Sequence, residues 1–220
     1  MRGTLAARRE IVEVCRRLWE RGLIAGPDGN VSVRAAGGRV LVTPSGLSKV
    51  DVRPADIVEL SLDGVPRPGR RARAARRASS EVGLHLRIYA RRDDVHAVVH
   101  AHPPTATGFA VAGEDFMAPV LPEIILQCGG VPLVPYATPG TAAVADGVEP
   151  FLDRHDVFLM ANHGATTVGA SLRIAHQRME SLEHVARILL TARLLGRVRP
   201  LSDSEAASLH AVRAAASRAR

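Results

Sequence analysis

Three histidines stand where apolar runs of this chain stop. In His96-Ala97-Val98-Val99-His100-Ala101-His102-Pro103-Pro104 the β-branched centre reads as a buried strand, and the two prolines end it. Side chains alternate along a strand, so His100 and His102 point to the same side at its end. Two imidazoles on one side make half of a site for zinc or a similar ion. A bare His-x-His also suits an ordinary polar strand edge, so partners elsewhere must decide. His163 repeats the pattern, directly after the apolar run Val157-Phe158-Leu159-Met160.

A second group of residues suits an oxyanion. Gly26-Pro27-Asp28-Gly29-Asn30 and Thr43-Pro44-Ser45-Gly46 combine glycine, which lets backbone approach a ligand closely, with small hydrogen-bonding side chains. Either loop alone reads equally well as a turn. Ser79-Ser80-Glu81 opens a helix continuing through Leu84, Ile88 and Tyr89. Serine serves there as the expected N-cap, and the free N–H groups of the first turn favour phosphate.

The elements that must hold these residues follow from periodicity. Leu5 to Gly22 predicts an amphipathic helix with Ile11, Val14, Cys15, Leu18 and Trp19 on its buried face. Val31 to Arg34 and Arg39 to Val42 predict a hairpin turning at Gly37-Gly38, and Ile57 to Leu62 a further strand. Helices are expected over Thr105 to Ala112, over Pro119 to Gly130, and from Thr138-Pro139-Gly140-Thr141 through Leu152. Strands are expected at Val131 to Val134, Val157 to Met160 and Ala165 to Val168. A long helix runs from Ser171 to Leu195, on which His176 and His184 are expected to pack or face solvent rather than ligate. Ser202-x-x-Glu205 is a capping-box signature for a tail helix. The result is one domain spanning 1–220, with a core at about 8–195 and a helical tail over 202–220.

Composition bounds the function. The 220 residues are 46% hydrophobic and 23% charged, enough for a substantial core, and no apolar run reaches bilayer-spanning length. Arg8, Arg9, Glu10 and Glu13 interrupt any apolar leader segment. Cys15 and Cys128 form no Cys-x-x-Cys pattern and read as reduced core residues of a cytoplasmic protein. The net charge of +7 raises nucleic-acid binding, yet Lys49 is the only lysine among 29 basic residues and aromatics make up only 3%. That skew looks like codon bias with few stacking platforms, so neither nucleic acid nor membrane is an expected partner. Arg70, Arg71, Arg73, Arg76 and Arg77 read as a solvated loop. Lys49 reads as part of an exposed turn, unsuited to Schiff-base chemistry.

Taken in order, Gly29-Asn30-Val31-Ser32-Val33-Arg34, Thr43-Pro44-Ser45-Gly46, Ser79-Ser80-Glu81, His100-Ala101-His102 and Asn162-His163-Gly164 closely resemble the class II aldolase/adducin family. Pro135-Tyr136-Ala137-Thr138 and Gly140-Thr141 extend the likeness. The resemblance implies a three-layer α/β/α domain with a mostly antiparallel central sheet, assembled as a homotetramer with active sites between subunits. It implies one zinc or other divalent ion per subunit on Glu81, His100, His102 and His163. Glu81 then leaves the metal to act as general base or acid. It further implies a substrate phosphate held by Gly29, Asn30, Ser45, Gly46, Ser79 and Ser80.

Among members, the glutamate at 81 looks like the L-fuculose-phosphate type of aldolase, which splits a ketose 1-phosphate into dihydroxyacetone phosphate and a small aldehyde through an enediolate. Glu123 stands where that type carries a tyrosine from the adjacent subunit, as an inter-subunit acid or base. No tyrosine follows Tyr136. Sugar-phosphate 4-epimerases, methylthioribulose-phosphate dehydratases and sugar-acid-phosphate decarboxylases are the alternatives within the family. An adducin-like binding module is disfavoured by the intact histidine and glutamate set.

Overall fold

The computed structural model describes residues 2–67 and 76–218. Seven strands form one sheet: β1 (Asn30–Ala35), β2 (Arg39–Val42), β3 (Val58–Ser61), β4 (Ala97–Ala101), β5 (Leu133–Val134), β6 (Val157–Met160) and β7 (Gly164–Gly169), in the spatial order β3-β2-β1-β4-β7-β6-β5. All neighbours are antiparallel except β5 and β6. The site histidines therefore come from the sheet's centre, where β4 is hydrogen-bonded on both sides.

Helices cover both faces. On one lie α1 (Arg2–Glu20), α3 (Pro104–Val111) and α5 (Leu172–Leu194), with core residues Ile11, Leu18, Phe109, Met179 and Leu182 packed against Val31, Val99 and Ala165. On the other lie α2 (Val82–Arg91) and α4 (Ala142–Val148), whose Leu84, Ile88, Val144 and Val148 meet Val98, Phe158 and Val168. This is the expected three-layer α/β/α fold. Strand alternation places Ala97, Val99 and Ala101 in the first core and Val98 in the second. His100 shares the face of Val98, beneath the start of α2.

Local chemistry explains the ends. Gly22, at φ 65°, closes α1 with paired bonds from Gly22 N–H to Trp19 O and Leu23 N–H to Leu18 O. Ser171 caps α5, its Oγ accepting from Ile174 N–H at 3.3 Å. The capping box of α6 (Asp203–Arg218) forms as expected, with Glu205 accepting from Ser202 N–H at 2.8 Å.

Four local expectations are corrected. Trp19 is 46% exposed, while Ile11, Val14, Cys15 and Leu18 are buried, so the apolar face of α1 is narrower than its sequence suggests. Residues Ile124–Cys128 form a π-helical turn ended by left-handed Gly129 rather than an ordinary helix. The N-cap of α2 is Glu81, and no side chain caps the helix. Lys49 is 3% exposed, with Nζ donating to Pro27 O at 2.6 Å and Leu47 O at 3.2 Å. Burial lowers its pKa below the ordinary lysine value.

Of the arginine run, Arg70, Arg71 and Arg73 lie outside the described residues, and Arg76 pairs with Asp56 at 3.0 Å. His176 is buried and His184 exposed.

Candidate active site

His100, His102 and His163 converge from two short backbone segments. His100 is the penultimate residue of β4, and His102 directly follows the strand, its N–H donating to Leu23 O at 2.9 Å. His163 sits in the tight β6–β7 turn, where Asn162 adopts φ 54° and His163 N–H donates to Met160 O at 3.1 Å. Asparagine is one of the few residues that tolerate this left-handed conformation. The next residue must be glycine for a different reason. A Cβ on Gly164 would meet His102 Cδ2 at 2.5 Å and Ala101 O at 2.6 Å.

The ring nitrogens of the three histidines lie within 4.8 Å of one another. His100 Nδ1 is 3.0 Å from Ala165 O, which can only accept, so Nδ1 carries the proton and Nε2 presents a lone pair. His102 Nδ1 lies 3.8 Å from Asp28 Oδ2. Burial drives the His100 pKa down to about 3 and lowers that of His102, so both rings are neutral near pH 7.

Glu81 reaches over this group from the start of α2. Its Oε2 lies 3.3 Å from His100 Nε2 and its Oε1 3.1 Å from His163 Nε2. His102 Nε2 lies 3.2 Å from His100 Nε2. A tetrahedral ion bound at about 2.0–2.1 Å would need ligand-to-ligand edges of about 3.3 Å. Glu81 Oε1 is also buried without a hydrogen-bond partner. Three imidazoles, at least two of them held neutral, and an unpartnered carboxylate oxygen at these spacings fit a divalent cation. Burial raises the Glu81 pKa, but the His163 and His100 rings and the Asn30 amide outweigh it and hold the carboxyl well below its usual range.

The loops expected to hold phosphate lie side by side. Ser79 N–H donates to Thr43 O at 3.2 Å and Ser45 N–H to Arg77 O at 2.9 Å, joining 43–45 to 77–79. Ser45 and Ser80 are exposed, and Gly46 at φ 72° faces open space. Ser79 Oγ accepts from Glu81 N–H at 3.3 Å. Gly29 packs on β4, where a Cβ would meet His100 O at 2.8 Å. The Asn30 amide is engaged elsewhere: its Nδ2 donates to Glu81 Oε2 at 2.8 Å, and its Oδ1 lies 2.5 Å from His85 Nε2.

Glu123 is exposed, and among the described residues no hydrogen bond or ion pair ties it to the site. Sequence reasoning assigned no individual role to Asp28, His85 and Tyr89. The last two were legible as an i, i+4, i+8 series with Glu81 along one face of α2.

Residues 9–190 match the family model for the class II aldolase and adducin N-terminal domain, and the chain belongs to that family. Its relatives are enzymes of aldolase and decarboxylase type. The chain is 31% identical to a 3-oxo-tetronate 4-phosphate decarboxylase of Pectobacterium atrosepticum, over 92% of each chain. It is 34% identical to a 5-deoxy-D-ribulose 1-phosphate aldolase of Bacillus thuringiensis serovar kurstaki, again over 92% of each. A solved L-fuculose 1-phosphate aldolase superposes with a TM-score of 0.85 at 29% identity, covering 93% of this chain and 94% of that one.

Proposed function

We propose that this protein is a divalent-metal-dependent lyase that breaks a carbon–carbon bond beside the ketone of a small sugar phosphate. Its first reading is an aldolase splitting a ketose 1-phosphate into dihydroxyacetone phosphate and a small aldehyde. The observation that carries this reading is the convergence of His100, His102 and His163, with ligand atoms within 4.8 Å of one another, beside the unpartnered Glu81 Oε1 at 3.1 Å from His163 Nε2. Bound there, a divalent ion, zinc by its nitrogen-rich ligand set, supplies Lewis-acid polarisation of the substrate's ketone oxygen.

The chain's own residues supply the rest. Gly29, Ser45, Gly46, Ser79 and Ser80 hold the phosphate end at the paired loops, with Asn30 at their junction with Glu81. Charge-assisted hydrogen bonds there contribute roughly 1.5–3 kcal/mol each. Glu81, ionised at neutral pH, removes a proton from the carbon next to the ketone in the condensation direction and returns it in cleavage. Assembly as a homotetramer with sites between subunits would bring Glu123 to a neighbour's site as acid or base at the aldehyde end. The setting proposed for this reaction is the cytoplasm.

A second reading, decarboxylation of a 3-oxo sugar-acid phosphate, has its own support. It is the reaction named for the Pectobacterium relative. Loss of carbon dioxide also involves no aldehyde-end hydroxyl that must give up its proton, which suits a chain with Glu123 where the fuculose-phosphate type carries a tyrosine. A product assay on ketose 1-phosphates and 3-oxo-tetronate 4-phosphate, with and without added zinc, separates the two. Dihydroxyacetone phosphate with an aldehyde supports the first reading, and carbon dioxide release the second. Absence of both in a metal-loaded protein would overturn the lyase assignment.

A further inference from the structure

Behind Glu81 runs a buried polar chain of which the reaction just described uses only Asn30. Asn30, Ser32, His85 and Tyr89 are each at most 2% exposed. Asn30 and Ser32 alternate along β1 on the sheet face beneath α2, which supplies His85 and Tyr89. The contacts are continuous. Glu81 Oε2 to Asn30 Nδ2 is 2.8 Å, Asn30 Oδ1 to His85 Nε2 is 2.5 Å, His85 Nδ1 to Ser32 Oγ is 2.7 Å, and Ser32 Oγ to Tyr89 Oη is 2.8 Å.

The direction of every bond follows from one end. An ionised carboxylate only accepts, so Asn30 must present its Nδ2–H to Glu81. Its Oδ1 then accepts, which requires the proton of His85 on Nε2. Burial holds the His85 pKa down to about 4, so the ring is neutral and Nδ1 bears a lone pair. Ser32 donates to that lone pair, leaving its oxygen to accept from the Tyr89 hydroxyl. Reversing any one bond leaves a buried group facing its own kind.

We infer that His85, held in its Nε2–H form by Ser32, is a positioning residue that locks the Asn30 amide so that a donor always faces Glu81. An amide free to turn over would present Oδ1 to the carboxylate and repel it. With the lock in place, Glu81 keeps one oxygen fixed while the other is available to the metal and substrate. The inference rests on the proposed role of Glu81 only for its effect on turnover, because the tautomer itself can be observed directly.

Long-range proton–nitrogen NMR on protein labelled with 15N-histidine reads that tautomer. Wild type is expected to show His85 protonated at Nε2, and Ser32→Ala to release it into a mixture of forms. A wild-type ring protonated at Nδ1, or unchanged by Ser32→Ala, would overturn the inference. Kinetics form the second arm. His85→Leu is expected to lower kcat about 10–100-fold, the usual scale for groups behind a ligand. KM, the metal content and the affinity for inorganic phosphate should stay within about twofold of wild type. His85→Gln, which restores an N–H at the same place, should recover most of the loss. Equal kcat in wild type and His85→Leu, or a loss of phosphate affinity equal to the loss of kcat, would refute a positioning role. Failure of the proposed reaction would appear in the product assay, which the NMR arm does not use.

Discussion

Gly164→Ala offers a steric probe of the histidine cluster. The new Cβ would stand 2.5 Å from His102 Cδ2 and 2.6 Å from Ala101 O, against the 3.4 Å at which ordinary contact begins. One of the two obstacles is β4 backbone, hydrogen-bonded to β1 and β7, so relief must come largely from the His102 ring, displaced by nearly 1 Å. Metal–ligand distances tolerate only about 0.2 Å. Overpacking of this kind costs about 1–3 kcal/mol, or a Tm lower by about 2–12 °C for a chain of this size. Metal affinity should fall about 10–100-fold or more.

Gly169→Ala is the matched control. Its Cβ would meet Ala175 N and Ile174 Cγ2, each at 2.9 Å, at the opposite end of β7. Both variants should lose stability by thermal unfolding, but only Gly164→Ala should lose zinc in competition with a fluorescent chelator. Equal zinc affinity in folded Gly164→Ala and wild type would refute the placement of His102 in the site.

Further outcomes are expected at Lys49, on chelation and at Ser45. Lys49→Met removes the donor to Pro27 O and Leu47 O, two part-buried hydrogen bonds of about 0.5–1.5 kcal/mol each, so denaturant unfolding should show a loss of about 1–3 kcal/mol. Chelators should nonetheless abolish activity in wild type, and borohydride should trap no substrate on Lys49, because the ammonium belongs to the loop junction rather than the chemistry. Ser45→Ala should raise KM for phosphorylated substrates about tenfold or more with little change in kcat, and comparable turnover of the unphosphorylated ketose by wild type would show that the loops have another job.

The strand-end histidines were readable from sequence because alternation and terminating prolines or glycines fix where a side chain points. Glu81 was readable by position, but its role came only from the family resemblance. Taken by itself a glutamate at a helix start looks like a cap, and the fold shows it turned toward His100 and His163. Lys49 was misread as part of an exposed turn, whereas it is buried where that turn packs on α1 and its Nζ reaches the loop at Pro27, a tertiary event with no local pattern. The π-helical turn at 124–128 has the same residue types as an ordinary helix, so periodicity alone could not separate them. Trp19 is exposed in this chain although it continues the apolar stripe of α1, since the sheet is already covered by Ile11, Cys15 and Leu18. The Asn30–His85–Ser32–Tyr89 chain joins a strand to a helix about fifty residues away. Half of it, the spacing of His85 and Tyr89, was on view, and the other half required the β1–α2 packing.

Metal content is the most direct test of the site, measured by elemental analysis on protein purified without chelators, with wild type and His102→Ala handled in parallel. The converging three histidines and Glu81 predict about one divalent ion per chain in wild type, zinc foremost, and a clear loss in the variant. Equal metal content in the two, with both folded, would contradict the assignment of His102 to the metal.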